Sequence, residues 1–159
     1  MKIFIDGRES NFVTQEWIPR ELHHYLVKRY GYNNKNYLTA FFRYVYIDTI
    51  KCAQNIRVFL GVPMYINTWH VGGKFNYRGW RPTDYYLKGD DETKNLILSQ
   101  HQRGLACDFH TNEYTPDQLR DKILPRYREL GFWRIEMGVN WVHFDLAKGL
   151  TDELVKFYP

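Results

Sequence analysis

His101 and Asp108 stand seven positions apart in Ser99-Gln100-His101-Gln102-Arg103-Gly104-Leu105-Ala106-Cys107-Asp108, and both are residue types that bind divalent metals. Gly104 between them lets the backbone turn tightly, so His101 is expected in a loop and Ala106 to Phe109 in a short strand. The two side chains can then converge on one ion. A pair alone is not a site, because a metal that does chemistry usually takes three protein ligands and keeps a further position for water. The best third candidate is His143, in Asn140-Trp141-Val142-His143-Phe144-Asp145. Spacing alone defines a candidate divalent-metal site and no more.

The elements that must position these residues come late in the chain. Phe132 to Met137 and Trp141 to Ala147 read as two strands of a β-hairpin turning at Gly138-Val139. That register pairs Met137 with Asn140, Glu136 with Trp141 and Arg134 with His143. Strand alternation then sets Arg134, Glu136, Trp141, His143 and Asp145 on one face. Asp145 is suited to accept a hydrogen bond from the N–H of a ligand imidazole, and Ser99 to fix the His101 loop by hydrogen bonding. His110 falls on the site face by alternation but reads as a satisfied or surface histidine rather than a proton carrier.

Upstream, Lys2 to Ile5 alternate weakly as a short edge strand ended by Asp6-Gly7. Thr14 to Tyr30 reads as a helix with Pro19 in its first turn and Leu22, Tyr25, Leu26 and Tyr30 on one face. His23 and His24 are adjacent in that helix, point about 100° apart and read as surface residues. Tyr37 to Leu60 carries the longest helical stripe, stopped by Gly61, and Met64 to Thr68 follows as a short strand. From Trp69 to Leu98 periodicity disappears, and the segment reads as a long loop forming the wall of a substrate groove, with Tyr77, Trp80, Tyr85 and Tyr86 too apolar to stay solvated. Thr115-Pro116-Asp117-Gln118 is a capping box opening a helix that runs at least to Leu124, where Pro125 kinks or ends it. Thr151-Asp152-Glu153 opens a short terminal helix with Leu154 and Phe157 packing back.

At 159 residues, 44% of them apolar, with 13 Tyr, 10 Phe and 5 Trp, the chain fits one folded domain that needs no structural metal to build its core. Net charge is +4, from 22 basic and 18 acidic residues that are interspersed rather than run together. This is mild steering towards anionic polymers, not a nucleic-acid stripe. Cys52 and Cys107 are expected reduced and buried. The amino terminus lacks the apolar core of a signal peptide, and no stretch is long and apolar enough to insert in a membrane, so the chain is expected to be made in the cytosol.

Ser-x-His-x6-Asp followed by a late Trp-Val-His-x-Asp strand resembles the zinc D-alanyl-D-alanine carboxypeptidase superfamily, which includes vancomycin-resistance dipeptidases and phage endolysins. Gly61-Val62-Pro63-Met64-Tyr65-Ile66-Asn67-Thr68 and Gly79-Trp80-Arg81-Pro82 are similar to its phage-type branch, so the resemblance covers about residues 56 to 147. It implies an α+β domain, a small antiparallel sheet flanked by helices, with Zn2+ on the sheet face held by His101, Asp108 and His143. It further implies hydrolysis of a peptide bond in peptidoglycan, a stem peptide as substrate, other virion proteins as further partners, and action at the cell wall after release or from a virion. Arg81 resembles the family arginine that meets the substrate carbonyl or carboxylate, with Arg78 competing for the role. Where dipeptidases of the superfamily carry an acidic general base, three positions before the last histidine, this chain has Asn140, and an amide cannot accept the proton. Glu136 is the acid that could replace it, or it pairs with Arg134, Arg81 or a lysine. If no residue supplies the base, the alternative is an inactive wall-binding or virion module of the same fold.

Overall fold

Asp6 and Gly7 take φ of 48° and 78°, the positive pair of a two-residue hairpin turn. They join β1 (Lys2–Ile5) to β2 (Arg8–Val13), an antiparallel ribbon with Ile5 opposite Arg8. The expected edge strand therefore has a partner that its polar residues, Arg-Glu-Ser-Asn, concealed. This structure is a computed structural model, and it describes residues 1–83 and 99–159. The later part of the expected 69–98 loop, with Tyr85 and Tyr86, lies outside the described residues.

The first helix, α1 (Arg20–Tyr30), begins after Pro19 rather than at Thr14. Proline has no N–H to give and drives the residue before it out of helical backbone, so Thr14–Glu16 form a separate 3-10 turn. Of the expected face of α1, Leu26 is buried and Leu22 and Tyr30 pack against the core, but Tyr25 is 54% exposed and His23 is buried. His23 is thus no surface residue. Tyr37 gives its hydroxyl proton to Thr14 Oγ1 at 3.2 Å, and His23 Nδ1 meets the same hydroxyl oxygen at 2.8 Å.

Burial, aided by the charges of His24, the amino terminus and His70, lowers the His23 pKa to about 4. Because this lies below the 6.5 of an unfolded histidine, neutral His23 contributes stability that is complete above pH 6.5 and is lost as the pH falls towards 4. The contribution is up to about 3 kcal/mol. His23→Gln keeps a polar partner for Tyr37 and removes the titration, so it should lose less stability than wild type between about pH 7 and about pH 4 in urea melts. Glu16, which burial pushes up to about 7, acts with the opposite sign in both proteins and cancels in the comparison.

The long helical stripe divides into α2 (Lys35–Phe41) and α3 (Ile47–Leu60). The reason lies in the link between them, which is built against the Ser99–Gly104 turn. Gly104 O accepts from Tyr46 N at 3.1 Å and from Thr49 Oγ1 at 2.8 Å. Gly104 itself has φ 71°, and a Cβ there would stand 2.1 Å from the Tyr44 carbonyl oxygen. Gly104→Ala is expected to cost about 3 kcal/mol or more, from a strained φ plus a backbone clash no rotamer can relieve, read as a drop in the denaturation midpoint. On α3 the stripe Thr49, Cys52, Ile56 and Leu60 is buried as the sequence suggests.

Met64 to Thr68 forms no strand but a single bridge, Tyr65 to His110. The main sheet is built from β3 (Ala106–Phe109), β4 (Arg134–Glu136), β5 (Val142–Asp145) and β6 (Val155–Phe157), in the order β3-β5-β4-β6. The first two pairings are antiparallel and β4–β6 is parallel, so this sheet is mixed rather than antiparallel. The expected terminal helix is instead β6: Val155 N donates to Trp133 O at 2.9 Å and Met137 N to Phe157 O at 2.8 Å, satisfying the edge of β4. Cys107, Phe109, Ile135, Val142 and Phe144 are fully buried on the core face of the sheet. Against that core pack α3, on β3, and α4 (Pro116–Ile123), on β5. The Thr115–Gln118 capping box opens α4 as expected, and after a 3-10 turn at Leu124–Arg126 a last short helix, α5 (Tyr127–Leu130), packs on α3. The fold is α+β in one small domain. Both cysteines are buried and free, and among the described residues no helix is long and apolar enough to cross a membrane.

Candidate metal centre

Alternation along the sheet delivers the opposite face to the site. Asp108 of β3 lies directly across from His143 of β5, and Ala106 across from Asp145. His101 comes from the turn that precedes β3. Ser99 Oγ accepts the His101 N–H at 3.3 Å, and His101 O accepts from Gly104 N at 3.1 Å. The segment Gly79-Trp80-Arg81 clamps the turn from outside: Trp80 Nε1 donates to Gln102 O at 3.0 Å and Arg81 N to His101 O at 3.4 Å. Gly79 is pressed against the core, where a Cβ would lie 2.2 Å from the Trp17 carbonyl oxygen. Its own carbonyl meets His101 Nδ1 at 2.7 Å.

That last contact decides which nitrogen of His101 is bare. Nδ1–H donates to Gly79 O, so Nε2 presents its lone pair inward. Nε2 stands 3.2 Å from Asp108 Oδ1 and 3.2 Å from His143 Nδ1, and His143 Nδ1 stands 2.7 Å from Asp108 Oδ1. Three ligands at about 2.0–2.1 Å from a tetrahedral ion would lie about 3.3 Å from one another. Two edges of the triangle match that spacing, and a small opening of the third would complete the fit. His143 uses its other nitrogen, Nε2, towards Asp145 Oδ2 at 3.4 Å. Each histidine therefore has a carbonyl or carboxylate behind it, the arrangement that fixes imidazole tautomer and orientation in metal sites. This buried group, His101, Asp108 and His143, could hold a metal ion.

The electrostatics of the group set one ionised carboxylate between two imidazoles of different basicity. Burial opposes ionisation of Asp108, but the interactions with His101 and His143 outweigh it and hold the carboxyl well below the usual range. Burial lowers the pKa of His101 more than Asp108 raises it, keeping the ring neutral. For His143 burial again pulls down, yet hydrogen bonds to Asp108 and Asp145 win and push it up to about 9. Asp145, 1% exposed, also accepts from Ala147 N at 2.9 Å and faces Arg134 Nε at 3.4 Å. Arg81 binds Asp108 through its Oδ2, leaving Oδ1 to the triangle, and its Nε donates to Tyr77 O at 2.5 Å. Asp108 thus pairs with Arg81.

Above the triangle opens a cavity of about 290 Å³ lined by Arg81, Ser99, Gln100, Arg134, Glu136, Trp141, Asp145 and Phe157 as well as the three donors. All five hairpin residues expected on one face are there, although the register differs. Arg134 is opposite Asp145 and Ile135 opposite Phe144, a shift of two residues that keeps the faces and moves the turn. Instead of a tight turn at Gly138-Val139, residues 137–141 make a wider connection held by Arg120. The buried guanidinium of Arg120 donates to Trp141 O at 2.7 Å and Val139 O at 2.8 Å, with Asp117 at 2.8 Å. Asn140 is exposed on that connection and does not line the cavity. Among the described residues no cation pairs with the Glu136 carboxylate, so the expected alternative of an ion pair with Arg134 or Arg81 is not what occupies it.

His110 lies outside this cavity, its Nδ1 against Arg78 Nη1 at 2.5 Å and its ring between Tyr65 and Phe75. Sequence reasoning missed two residues that shape the site. Phe157 stands 5.5 Å from the His143 ring, centroid to centroid, and carries the Arg134 guanidinium on its face. Arg120 orders the connection between Glu136 and Trp141. A lone arginine on an amphipathic helix gives no sign of which carbonyls it will meet, whereas the apolar Phe157 did signal that the carboxy-terminal segment returns to the body. No protein-family model matches the chain, and no curated protein or solved structure matches it.

Proposed function

We propose that the chain is a zinc peptidase that hydrolyses a peptide bond in bacterial peptidoglycan, encoded by a phage and acting at the wall after release or from a virion. The observation that carries the reading is the convergence of three ligand-type atoms, on His101, Asp108 and His143, at the floor of a cavity whose wall holds Glu136, a carboxylate with no cation partner among the described residues. Zinc bound by these residues supplies Lewis acidity, polarising a carbonyl and making water acidic enough to attack near neutral pH.

The rest falls to the chain's own side chains. Glu136 accepts the proton of the attacking water and returns it to the leaving amine, the two halves of general base and acid work. Arg81 brings positive charge to the same cavity, where an oxyanion develops on the carbonyl oxygen. Trp141 and Phe157 wall the cavity with apolar rings, limiting bulk water and giving a peptide backbone flat surfaces to lie on. The choice of peptidoglycan rests on the motif resemblance, and the net charge of +4 suits an anionic polymer. Incubating the zinc-loaded protein with purified peptidoglycan should release new free amino groups over time. A preparation with zinc demonstrably bound and no new amino groups would overturn the proposal.

A further inference from the structure

A second cavity, of about 360 Å³, adjoins the first and shares Arg81, Asp108 and Trp141 with it. Its charge is one-sided. Lys74, Arg78 and Arg81 line it, and its one acid among the described residues, Asp108, is already engaged by Arg81, His101 and His143.

Arg78 is the built part of this cavity. Its guanidinium carbon lies 3.5 Å from the centroid of the Phe75 ring, and Nη1 is held at 2.5 Å by His110 Nδ1. Its backbone is fixed on both sides, N–H to Asn67 Oδ1 at 2.8 Å and carbonyl to Asp108 N at 2.8 Å. His110, whose pKa burial and Arg78 both lower, serves as a neutral acceptor and takes no charge from the arginine. The remainder of the guanidinium fork has no partner among the described residues. Lys74 covers the Phe75 ring at 5.4 Å and adds an exposed ammonium at the rim. A stacked, half-buried guanidinium with donors to spare and no ion-pair partner among the described residues is arranged to receive a planar anion, and a carboxylate fits its fork in two-point contact.

We infer that this second cavity is a subsite for a carboxylate of an acidic peptide substrate, with Arg78 as its main cation. That the peptide is a substrate rests on the peptidase reading above. The subsite would set which residue flanks the scissile bond on the Trp141 side.

The test is calorimetric binding to the zinc-loaded Glu136→Gln protein, which should hold the peptide without turning it over. The probes are a stem pentapeptide and two derivatives amidated singly, at the glutamate carboxyl or at the terminal carboxyl. One of the two amidations should weaken binding about tenfold, and Arg78→Met should reduce that ratio below about twofold. Two amidations without effect, or a ratio that survives Arg78→Met, would overturn the subsite. Lys74→Met, at an exposed side chain, carries the same test if Arg78→Met does not fold. It should lower the ratio about two- to threefold, and an unchanged ratio counts against the subsite. Discrimination in binding without hydrolysis by the zinc-loaded wild type would overturn the peptidase reading and leave the subsite standing. Hydrolysis of all three peptides with no discrimination would do the reverse.

Discussion

His143→Ala is expected to lower zinc affinity about a thousand-fold, measured by competition with a chromophoric chelator. The size follows from what the ring does at this position. It supplies one of three donors, and its other nitrogen is braced by Asp145, so neither a water nor a neighbouring side chain can reproduce both contacts. The loss should come without global unfolding, because the core face of the sheet, with Val142 and Phe144 on either side of His143, is untouched. Removing only the brace, with Asp145→Asn, should cost about 10- to 100-fold in affinity, the usual effect of an outer partner. Replacing Cys107, next to Asp108 but turned into the core, should change zinc affinity little.

Glu136→Gln is expected to reduce peptidoglycan hydrolysis about 10²- to 10⁴-fold while zinc affinity stays within about threefold of wild type. An amide is nearly isosteric with the carboxylate and keeps the shape of the cavity, but it cannot take a proton from water. The pairing of the two readouts is what separates an enzyme from a wall-binding module, which would have no turnover to lose. Asn140→Asp, which would place an acid three positions before the last histidine, should change the rate little, since residue 140 is exposed on the connection and outside the cavity.

Which residues share a face of the sheet was more legible than how its strands pair, and the reason is geometric. Side chains on a strand repeat every two residues, so any even shift of register preserves which residues share a face. Arg134, Glu136, Trp141, His143 and Asp145 therefore came together as the sequence suggests, although the pairing slipped from Arg134–His143 to Arg134–Asp145. The slip itself was invisible because it depends on Arg120, whose guanidinium holds the carbonyls of Val139 and Trp141 and widens the turn. The break between α2 and α3 was hidden for a similar reason. The stripe from Leu38 to Leu60 is helical in period throughout, but Tyr46 N and Thr49 Oγ1 turn to a carbonyl of the distant Gly104. At the carboxy terminus, Thr151-Asp152-Glu153 is good helix-opening chemistry, overridden by the unpaired edge of β4, which takes Val155–Phe157 as a parallel strand. Local signals with a covalent or steric origin held: Gly61 after α3 and the Thr115 capping box. Pairings that require a partner far along the chain did not show in the sequence.

The most direct test of the central claim is the X-ray absorption spectrum of the zinc-loaded protein. The expected spectrum shows one ion with about four nitrogen and oxygen donors at about 2.0–2.1 Å, a multiple-scattering pattern of two imidazoles, and no sulfur. His143→Ala should remove one imidazole from the pattern or the ion altogether. A sulfur shell at about 2.3 Å, or an all-oxygen shell of six ligands without imidazole, would contradict it.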